Sequence, residues 1–195
     1  MNHIKLPLLA CEQCESIIHQ LDQAEWVDGQ TTAGSQARSG KINEQLSQRS
    51  PELAEIQSIV QTAMWSQPAI KSFCLPRKLH RFLISKTTEG GGYESHVDNA
   101  YMSSGRRDLS FTVCLSDTKN FEGGNLEVDT ISDSTELNLE QGEIVIYPST
   151  TLHRVKKVTK GQRIVCVGWI ESYVKNESDR VTLFQLDSGA RGLMA

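Results

Sequence analysis

Hydrophobic positions recur with a helical period in two segments of the first third of the chain. In residues 11–24 apolar or small side chains return every three or four positions, which predicts an amphipathic helix. Pro51 is predicted to open a second helix, because proline sets φ for a first helical turn and an apolar stripe follows it. The segment 28–50 between them has no period and is rich in Gly, Ser, Thr and Gln, so it is predicted to be mostly loop, with at most one strand near its start.

From about Arg77 the pattern changes to short runs of β-branched and aromatic residues separated by turn residues. Gly123-Gly124, Gln141-Gly142 and Lys160-Gly161 are predicted to supply turns between strands. The tail at 174–186 is charged with spaced apolar residues, which predicts a final helix. The predicted strands, about eight in number, are residues 82–84, 93–98, 108–115, 125–128, 136–139, 143–147, 151–155 and 163–170.

This order of elements favours an antiparallel sandwich or jelly roll, because no long helix separates the strands as it would in a parallel α/β sheet. We expect a single α+β domain over residues 1–195. Within it, residues 1–76 are expected to give mainly helical support, residues 77–172 the jelly-roll core, and residues 173–195 a helical tail.

The composition agrees with one globular domain, since 38% of the 195 residues are hydrophobic and 23% are charged. A formal charge of −4 and a pI of about 5.7 give no overall basic field, so nucleic acid is not an expected partner. No apolar run approaches the roughly 20 residues of a membrane-spanning helix, and the N-terminus lacks the pattern of a signal peptide. We therefore expect a cytoplasmic protein with no membrane partner.

The cysteines are five in number and scattered along the chain, which favours reduced thiols over a disulfide framework. Cys11 and Cys14 form a C-x-x-C pair, but a zinc site needs two further ligands and none is evident nearby. The simpler interpretation is two small residues on one helix.

His96 and Asp98 are separated by one residue in a predicted strand, so alternation directs both to the same face while Val97 points away. An imidazole from another strand would complete a set of two histidines and one carboxylate, which suits Fe(II) and leaves positions open for substrate and oxygen. His153, on a later predicted strand, is the candidate third ligand. An H-x-D pair alone is a weak signal, because most such tripeptides are structural or exposed.

Arg163 lies ten positions after His153, at the start of a strongly apolar run. An arginine with one end in an apolar barrel needs an anionic partner, because a buried unpaired charge is costly. Its planar fork matches a carboxylate in bidentate fashion. An internal ion pair, or a side chain that reaches solvent, would also explain it.

The set His96-x-Asp98, His153 and Arg163 resembles the iron- and 2-oxoglutarate-dependent oxygenases, in particular the prolyl/lysyl hydroxylase-like group. Further stretches extend the resemblance over nearly the whole chain, to the bacterial PKHD-type hydroxylases. It implies a double-stranded β-helix core (jelly-roll, cupin-like) with N-terminal supporting helices. The stretches are WVDGQTTAG (26–34), HVDNAYM (96–102), RRDLSFTVCLSD (106–117), FEGGNLEV (121–128), GEIVIYPSTTLHRVKKVTKGQR (142–163) and WIES (169–172).

The resemblance implies a role for each of these residues. His96, Asp98 and His153 would bind Fe(II), and Arg163 would bind the distal carboxylate of 2-oxoglutarate. The implied co-substrates are 2-oxoglutarate and O2, with ascorbate as a candidate reductant. Two residues are candidates to support the metal site from behind the ligands: Asn99 and Ser149.

Leu126 and Trp169 correspond to residues that line the co-substrate pocket in related prolyl hydroxylases. Leu126 is equally well explained as a core residue, whereas Trp169 shares strand parity with Arg163. Family members often carry a tyrosine nine positions before the first histidine, and this chain has Thr87 there.

Another tyrosine could compensate for that replacement. The candidates are Tyr93 and Tyr147. Tyr93 lies three positions before His96, so strand parity predicts that it faces away from that histidine.

The implied reaction is hydroxylation of a C–H bond, with decarboxylation of 2-oxoglutarate to succinate. The implied substrate is a prolyl or other amino-acid side chain in a peptide or protein. A small metabolite, a cupin-like metalloenzyme that does not use 2-oxoglutarate, and a binding module without catalysis are the alternatives. A homodimer is a further expectation.

Basic residues near the predicted metal site could guide an acidic substrate, although solvated strand edges explain them as well. They are Arg106, Arg107, Arg154, Lys156 and Lys157.

Overall fold

The computed structural model describes residues 3–32, 40–129 and 133–194 of the chain. Two of its helices coincide with the predicted amphipathic helices, and another with the predicted final helix. None of the helices in these ranges is long and apolar enough to cross a membrane. The helices are α1 (Cys11–Gln20), α2 (Glu52–Ser66), α3 (Pro68–Cys74) and α4 (Glu177–Met194).

Strands make up most of the remaining regular structure. They are β1 (Ile4–Pro7), β2 (Trp26–Asp28), β3 (Lys41–Ile42), β4 (Glu44–Leu46), β5 (Pro76–Leu79), β6 (Leu83–Thr88), β7 (Gly92–His96), β8 (Tyr101–Met102), β9 (Gly105–Arg106), β10 (Leu109–Cys114), β11 (Phe121–Gly123), β12 (Leu126–Asp129), β13 (Ser134–Leu137), β14 (Glu143–Pro148), β15 (His153–Val155) and β16 (Val158–Ser172). The eight predicted strands correspond to β6, β7, β10 and β12 to β16.

The strands form two antiparallel sheets, as the jelly-roll prediction requires. The larger sheet has the order β1-β14-β10-β16-β6-β4-β2, and β5 and β11 also pair with β16. The smaller sheet has the order β13-β12-β15-β7-β3, and β8 and β9 form a separate hairpin. The predicted α+β architecture with a double-stranded β-helix core is therefore confirmed.

Residues 1–76 supply strands as well as helices. β1 pairs with β14, β4 with β6, and β3 with β7, so this segment completes both sheets in addition to supporting them. The prediction of mostly loop for residues 28–50 missed β3 and β4, because short strands with polar side chains carry no apolar period. Part of that segment, residues 33–39, lies outside the described residues.

Alternation along β16 separates the hydrophobic core from the interior of the jelly roll. Ile164, Cys166 and Ile170 join the core cluster that also contains the buried faces of α1 and α2. Arg163 and Trp169 face the opposite side, where a cavity lies between the two sheets. The helices thus cover the outer face of the larger sheet, and its inner face is left for a site.

Lys160-Gly161 does not reverse the chain, so the predicted turn at this position is wrong. β16 runs continuously from Val158 to Ser172, and Gly161 lies inside it with φ of +73°. A Cβ on Gly161 would lie 2.1 Å from the carbonyl oxygen of Asn120. Position 161 therefore requires glycine because Asn120, the residue before β11, approaches it closely, and not because the chain forms a hairpin there.

Candidate active site

His96, Asp98 and His153 converge at one end of the smaller sheet. β7 ends at His96 and pairs with β15, so that His96 lies opposite His153. Nε2 of His96 is 3.9 Å from Oδ1 of Asp98, and Nε2 of His153 is 4.0 Å from Oδ2. One atom of each residue lies within 4.8 Å of the others, and no other such cluster of His, Cys, Asp and Glu occurs in the described ranges.

Both imidazole rings are oriented by a backbone carbonyl two residues earlier. Nδ1 of His96 donates to the carbonyl oxygen of Glu94 at 2.8 Å, and Nδ1 of His153 donates to that of Thr151 at 2.9 Å. Because a carbonyl only accepts, each Nε2 carries the lone pair that faces the cluster. Burial, and then the neighbouring His153, lowers the pKa of His96, so the neutral form that binds metals is favoured.

The Asp98 carboxylate is held on one side by hydrogen bonds. Its Oδ2 accepts from Ser110 Oγ at 2.6 Å and from the indole N–H of Trp169 at 2.9 Å. Ser149 hydrogen-bonds Ser110 at 2.8 Å, and its carbonyl oxygen accepts from the Asp98 backbone N–H. Ser149, one of the two residues expected to support the metal site, thus contacts Asp98 through its backbone carbonyl and Ser110 through its hydroxyl. Ser110 was missed, although β10 carries a signal, since its polar residues Ser110 and Thr112 alternate with apolar ones and line the cavity.

Tyr93 stacks on His96, contrary to the prediction from strand parity. The two rings are 3.7 Å apart between centroids, with an angle of 29° between their planes. The reason is a β-bulge, because His96 pairs with His153 while Tyr93 pairs with Val155, so that three steps on β7 match two on β15. The bulge returns Tyr93 to the face that carries the histidine, beside the cavity.

The cavity between the sheets has a volume of about 660 Å³. This size is typical of a small-molecule site. Both sheets contribute to its wall, and so do all six residues that the resemblance assigns to the metal and co-substrate sites. They are His96, Asp98, Leu126, His153, Arg163 and Trp169.

Arg163 lies in this cavity, and its side chain is buried, with 5% of the residue exposed. No carboxylate of the described residues lies within 4.0 Å of its guanidinium, so the internal ion pair considered above is absent from that part of the chain. Burial lowers the pKa of Arg163, and the neighbouring Cys114 and then Tyr147 act in the opposite direction. Gly124 gives the side chain room, since a Cβ there would lie 2.8 Å from Cδ of Arg163.

Hydroxyl groups surround Arg163. Thr87 is its direct partner in the pairing of β6 with β16, so the two side chains share a face. Tyr147 is fully buried beside the cavity and its hydroxyl is hydrogen-bonded to Thr112. Burial keeps the pKa of Tyr147 well above its ordinary value, so the phenol is neutral. An anion next to Arg163 would therefore meet neutral donors and no competing charge.

A polar wall of the cavity comes from β3 and β4 and was missed in the sequence. Lys41, Asn43 and Gln45 alternate along the chain and all line the cavity. Burial lowers the pKa of Lys41 to about 8. Their spacing of two residues was the available signal, but a strand without apolar partners does not stand out from a polar loop.

The comparisons with known proteins agree on one class. The sequence profile of the 2OG-Fe(II) oxygenase superfamily matches residues 80–171. A PKHD-type hydroxylase of Synechococcus sp. (strain CC9311) is 59% identical over 196 residues, covering 100% of this chain and 89% of the relative.

Solved structures of low sequence identity share the fold. A Pseudomonas putida prolyl-4-hydroxylase has a TM-score of 0.62 at 13% identity, over 89% of this chain and 94% of that one. A Trichoplax adhaerens prolyl hydroxylase, solved with a peptide fragment of the hypoxia inducible factor oxygen degradation domain, has a TM-score of 0.63 at 12% identity. That likeness covers 93% of this chain and 86% of the other.

A jelly roll whose cavity holds two histidines and an aspartate has the architecture of the oxygenases that use iron and 2-oxoglutarate. This chain belongs to the PKHD-type hydroxylases, within the 2OG-Fe(II) oxygenase superfamily. It is therefore a 2-oxoglutarate-dependent dioxygenase, and the alternatives of a cupin-like enzyme without that co-substrate and of a non-catalytic binding module are wrong.

Proposed function

We propose that His96, Asp98 and His153 bind the ferrous ion. The donor set of two imidazoles and one carboxylate supports this assignment, because it suits Fe(II) and leaves coordination positions open. The orientation of the imidazoles supports it further, since each has its Nδ1 bound to a carbonyl and its Nε2 directed to the cluster. Oδ1 of Asp98 faces His96, while Oδ2 accepts from Ser110 and Trp169.

Arg163 binds the distal carboxylate of 2-oxoglutarate in this proposal. The supporting observation is a buried guanidinium in the cavity with no described carboxylate near it. The hydroxyls of Thr87 and Tyr147 are suited to donate to the same carboxylate. Leu126 and Trp169 are proposed to form walls of the co-substrate pocket. Leu126 also packs in the small hydrophobic cluster behind the cavity, so it serves both purposes.

When bound, iron, 2-oxoglutarate and O2 supply the oxidation, in which one oxygen atom enters a C–H bond and 2-oxoglutarate becomes succinate and carbon dioxide. The chain's own residues hold and orient the reactants. Arg163 would hold the distal carboxylate of the co-substrate, and His96, Asp98 and His153 would hold the metal. The apolar side chains of the inner sheet faces, Val165 and Val167 among them, limit the access of water.

The proposed substrate is a prolyl or other amino-acid side chain in a peptide or protein. Support comes from the shared fold with prolyl hydroxylases, one of which was solved with a peptide. A small metabolite is the alternative, which the size of the cavity also permits. A cytoplasmic location, a homodimer and ascorbate as reductant stay predictions, as does the absence of nucleic-acid and membrane partners.

The observation that carries the proposal is the presence of the triad and the unpaired Arg163 in one cavity. The test is conversion of 2-oxoglutarate to succinate by the purified chain with Fe(II), O2 and a peptide library, with mass spectrometry of the peptides. We expect succinate to form and a peptide to gain one oxygen atom. The matched control is His153→Ala, which should form no succinate. Equal succinate from this variant would remove His153 from the site, and succinate without any oxidised peptide would favour a small-molecule substrate.

A further inference from the structure

Four of the five basic residues named near the site fall into two groups. Arg106 is paired with Asp108 at 3.2 Å and with Glu171 at 3.3 Å. Two others are paired with Glu127 on the outer face of the smaller sheet: Arg154 and Lys156. These cations stabilise local structure and do not line the cavity.

Arg107 differs from this group, because it lines the cavity and has no ion pair among the described residues. Its guanidinium lies over the indole ring of Trp169, with the central carbon 3.8 Å from the ring centroid. Its backbone N–H donates to Ala100 at 2.9 Å, which fixes the start of the side chain. The Nε atom is buried and has no hydrogen-bond partner in the described ranges, so the guanidinium retains an unused donor.

Trp169 connects this guanidinium with the proposed metal site. The ring that carries Arg107 on its face donates its N–H to Asp98. Arg107 and the Asp98 carboxylate therefore contact the same indole, one on its face and the other at its N–H edge. A group bound by Arg107 would lie beside the proposed reaction centre, away from the hydroxyl-lined surroundings of Arg163.

The charges in the loaded cavity point to an anion at this position, and this step rests on the proposed function. The charges of Fe(II) and of 2-oxoglutarate cancel. Among the described residues that line the cavity, Asp98 is the one carboxylate, whereas Arg107 and Arg163 are both guanidinium groups, so the walls carry more positive than negative charge even without Lys41. A cation in a partly enclosed cavity is stabilised by an anionic partner, and a guanidinium matches the two oxygens of a carboxylate.

We propose that Arg107 binds a carboxylate of the substrate, and that the enzyme hydroxylates an amino-acid residue with a carboxylate next to the reacting side chain. That carboxylate has two possible sources. It is either the C-terminal carboxylate of the residue itself or the side chain of an acidic neighbour.

Matched probes that differ only in this charge test the proposal. The first pair of libraries contains the N-acetyl amino acids and the corresponding N-acetyl amino-acid amides. The second pair contains amidated N-acetyl dipeptides that combine each amino acid with Asp or with Asn. The iron- and 2-oxoglutarate-loaded enzyme is titrated anaerobically with each probe by calorimetry, and probe-stimulated succinate formation is then measured in air.

The wild-type enzyme should favour the charged member of one pair at least tenfold, in both binding and stimulation. The pair that shows this preference identifies the source of the carboxylate. Arg107→Gln should reduce the ratio to near one, and Arg107→Lys should retain part of it. Arg154→Gln, which changes a paired cation on the outer face, should leave the ratio unchanged. Because each ratio is measured within one protein, a partial loss of folded enzyme does not alter it.

Equal responses to the charged and uncharged probes overturn the proposal, as does an unchanged ratio in Arg107→Gln. A lack of response to all four libraries overturns it as well. In each case, conversion of 2-oxoglutarate by the same preparation shows that the proposed function still stands. Loss of that conversion in the wild-type enzyme would instead count against the proposed function.

Discussion

The indole N–H of Trp169 donates to Oδ2 of Asp98 across 71 residues of sequence, at 2.9 Å. With Ser110 it restrains one carboxylate oxygen and leaves the other directed toward His96. Hydrogen bonds of this kind fix the orientation of a metal ligand and increase its affinity for the ion.

Trp169→Phe is therefore expected to weaken Fe(II) binding about 10- to 100-fold, because it keeps an aromatic ring under Arg107 but removes the donor. Anaerobic titration with Fe(II) against a competing chelator measures the change. Trp26→Phe is the control, since Trp26 lies on β2 away from the cavity and should leave the affinity unchanged. An unaltered affinity in Trp169→Phe would show that the hydrogen bond does not support the metal site.

Arg163→Gln should raise the concentration of 2-oxoglutarate needed for half-maximal succinate formation about 10- to 100-fold, because hydrogen bonds to a charged group contribute about 1.5–3 kcal/mol. Fe(II) affinity should change little, since Arg163 does not belong to the metal cluster. Lys160→Gln serves as the control, since Lys160 lies on the same strand as Arg163, is exposed and is paired with Glu122 of β11. Equal losses of iron and co-substrate affinity would indicate a structural arginine.

The hydroxyls beside Arg163 should contribute smaller amounts. Tyr147→Phe and Thr87→Val each remove one donor and keep the guanidinium, so each is expected to raise the 2-oxoglutarate requirement about 10-fold, at the lower end of the roughly 1.5–3 kcal/mol that a hydrogen bond to a charged group contributes. Thr88→Val is the matched control, as Thr88 is exposed on the opposite face of β6. The measurement is succinate formation at varied 2-oxoglutarate. If Thr87→Val and Thr88→Val behave alike, the hydroxyl opposite Arg163 has no role in binding.

Gly168→Ala tests the packing of the larger sheet. A Cβ at this position would lie 2.6 Å from Cζ of Phe111 and 3.0 Å from Cδ1 of Phe82. The overpacking should lower the free energy of unfolding by about 1–3 kcal/mol. The melting temperature should then fall by about 2–4 °C for each kcal/mol.

Gly189→Ala provides a control of opposite sign. Gly189 lies inside α4 with no heavy atom within 4 Å of its added Cβ, so alanine should stabilise the protein by roughly 0.5–1 kcal/mol. Equal melting temperatures for the two variants would contradict the packing assigned to Gly168.

The sequence predicted the parts of the fold that depend on strong periodicity. The apolar faces of α1 and α2, and the alternation of β16 that directs Arg163 and Trp169 to one side, were all visible in it. His96 and Asp98 also come together, although β7 ends at His96 and Asp98 lies beyond the strand on which parity was argued. These features are local, so a single sequence carries enough information for them.

The sequence did not predict features that depend on pairing between distant strands. The bulge between β7 and β15 places Tyr93 on His96, and no residue in either strand marks it. The register of β6 on β16 sets Thr87 beside Arg163, which the spacing from His96 could not reveal. The contribution of Lys41 depends on β3 joining β7, and the polar composition of that segment conceals the strand.

Simultaneous binding of Fe(II) and 2-oxoglutarate in the cavity is tested most directly by anaerobic optical titration. Addition of both to the purified protein should produce a weak visible charge-transfer band that neither produces alone. The band should be absent in His153→Ala and should need more 2-oxoglutarate in Arg163→Gln. Absence of the band in folded wild-type protein saturated with both compounds would contradict the assignment of His96, Asp98, His153 and Arg163.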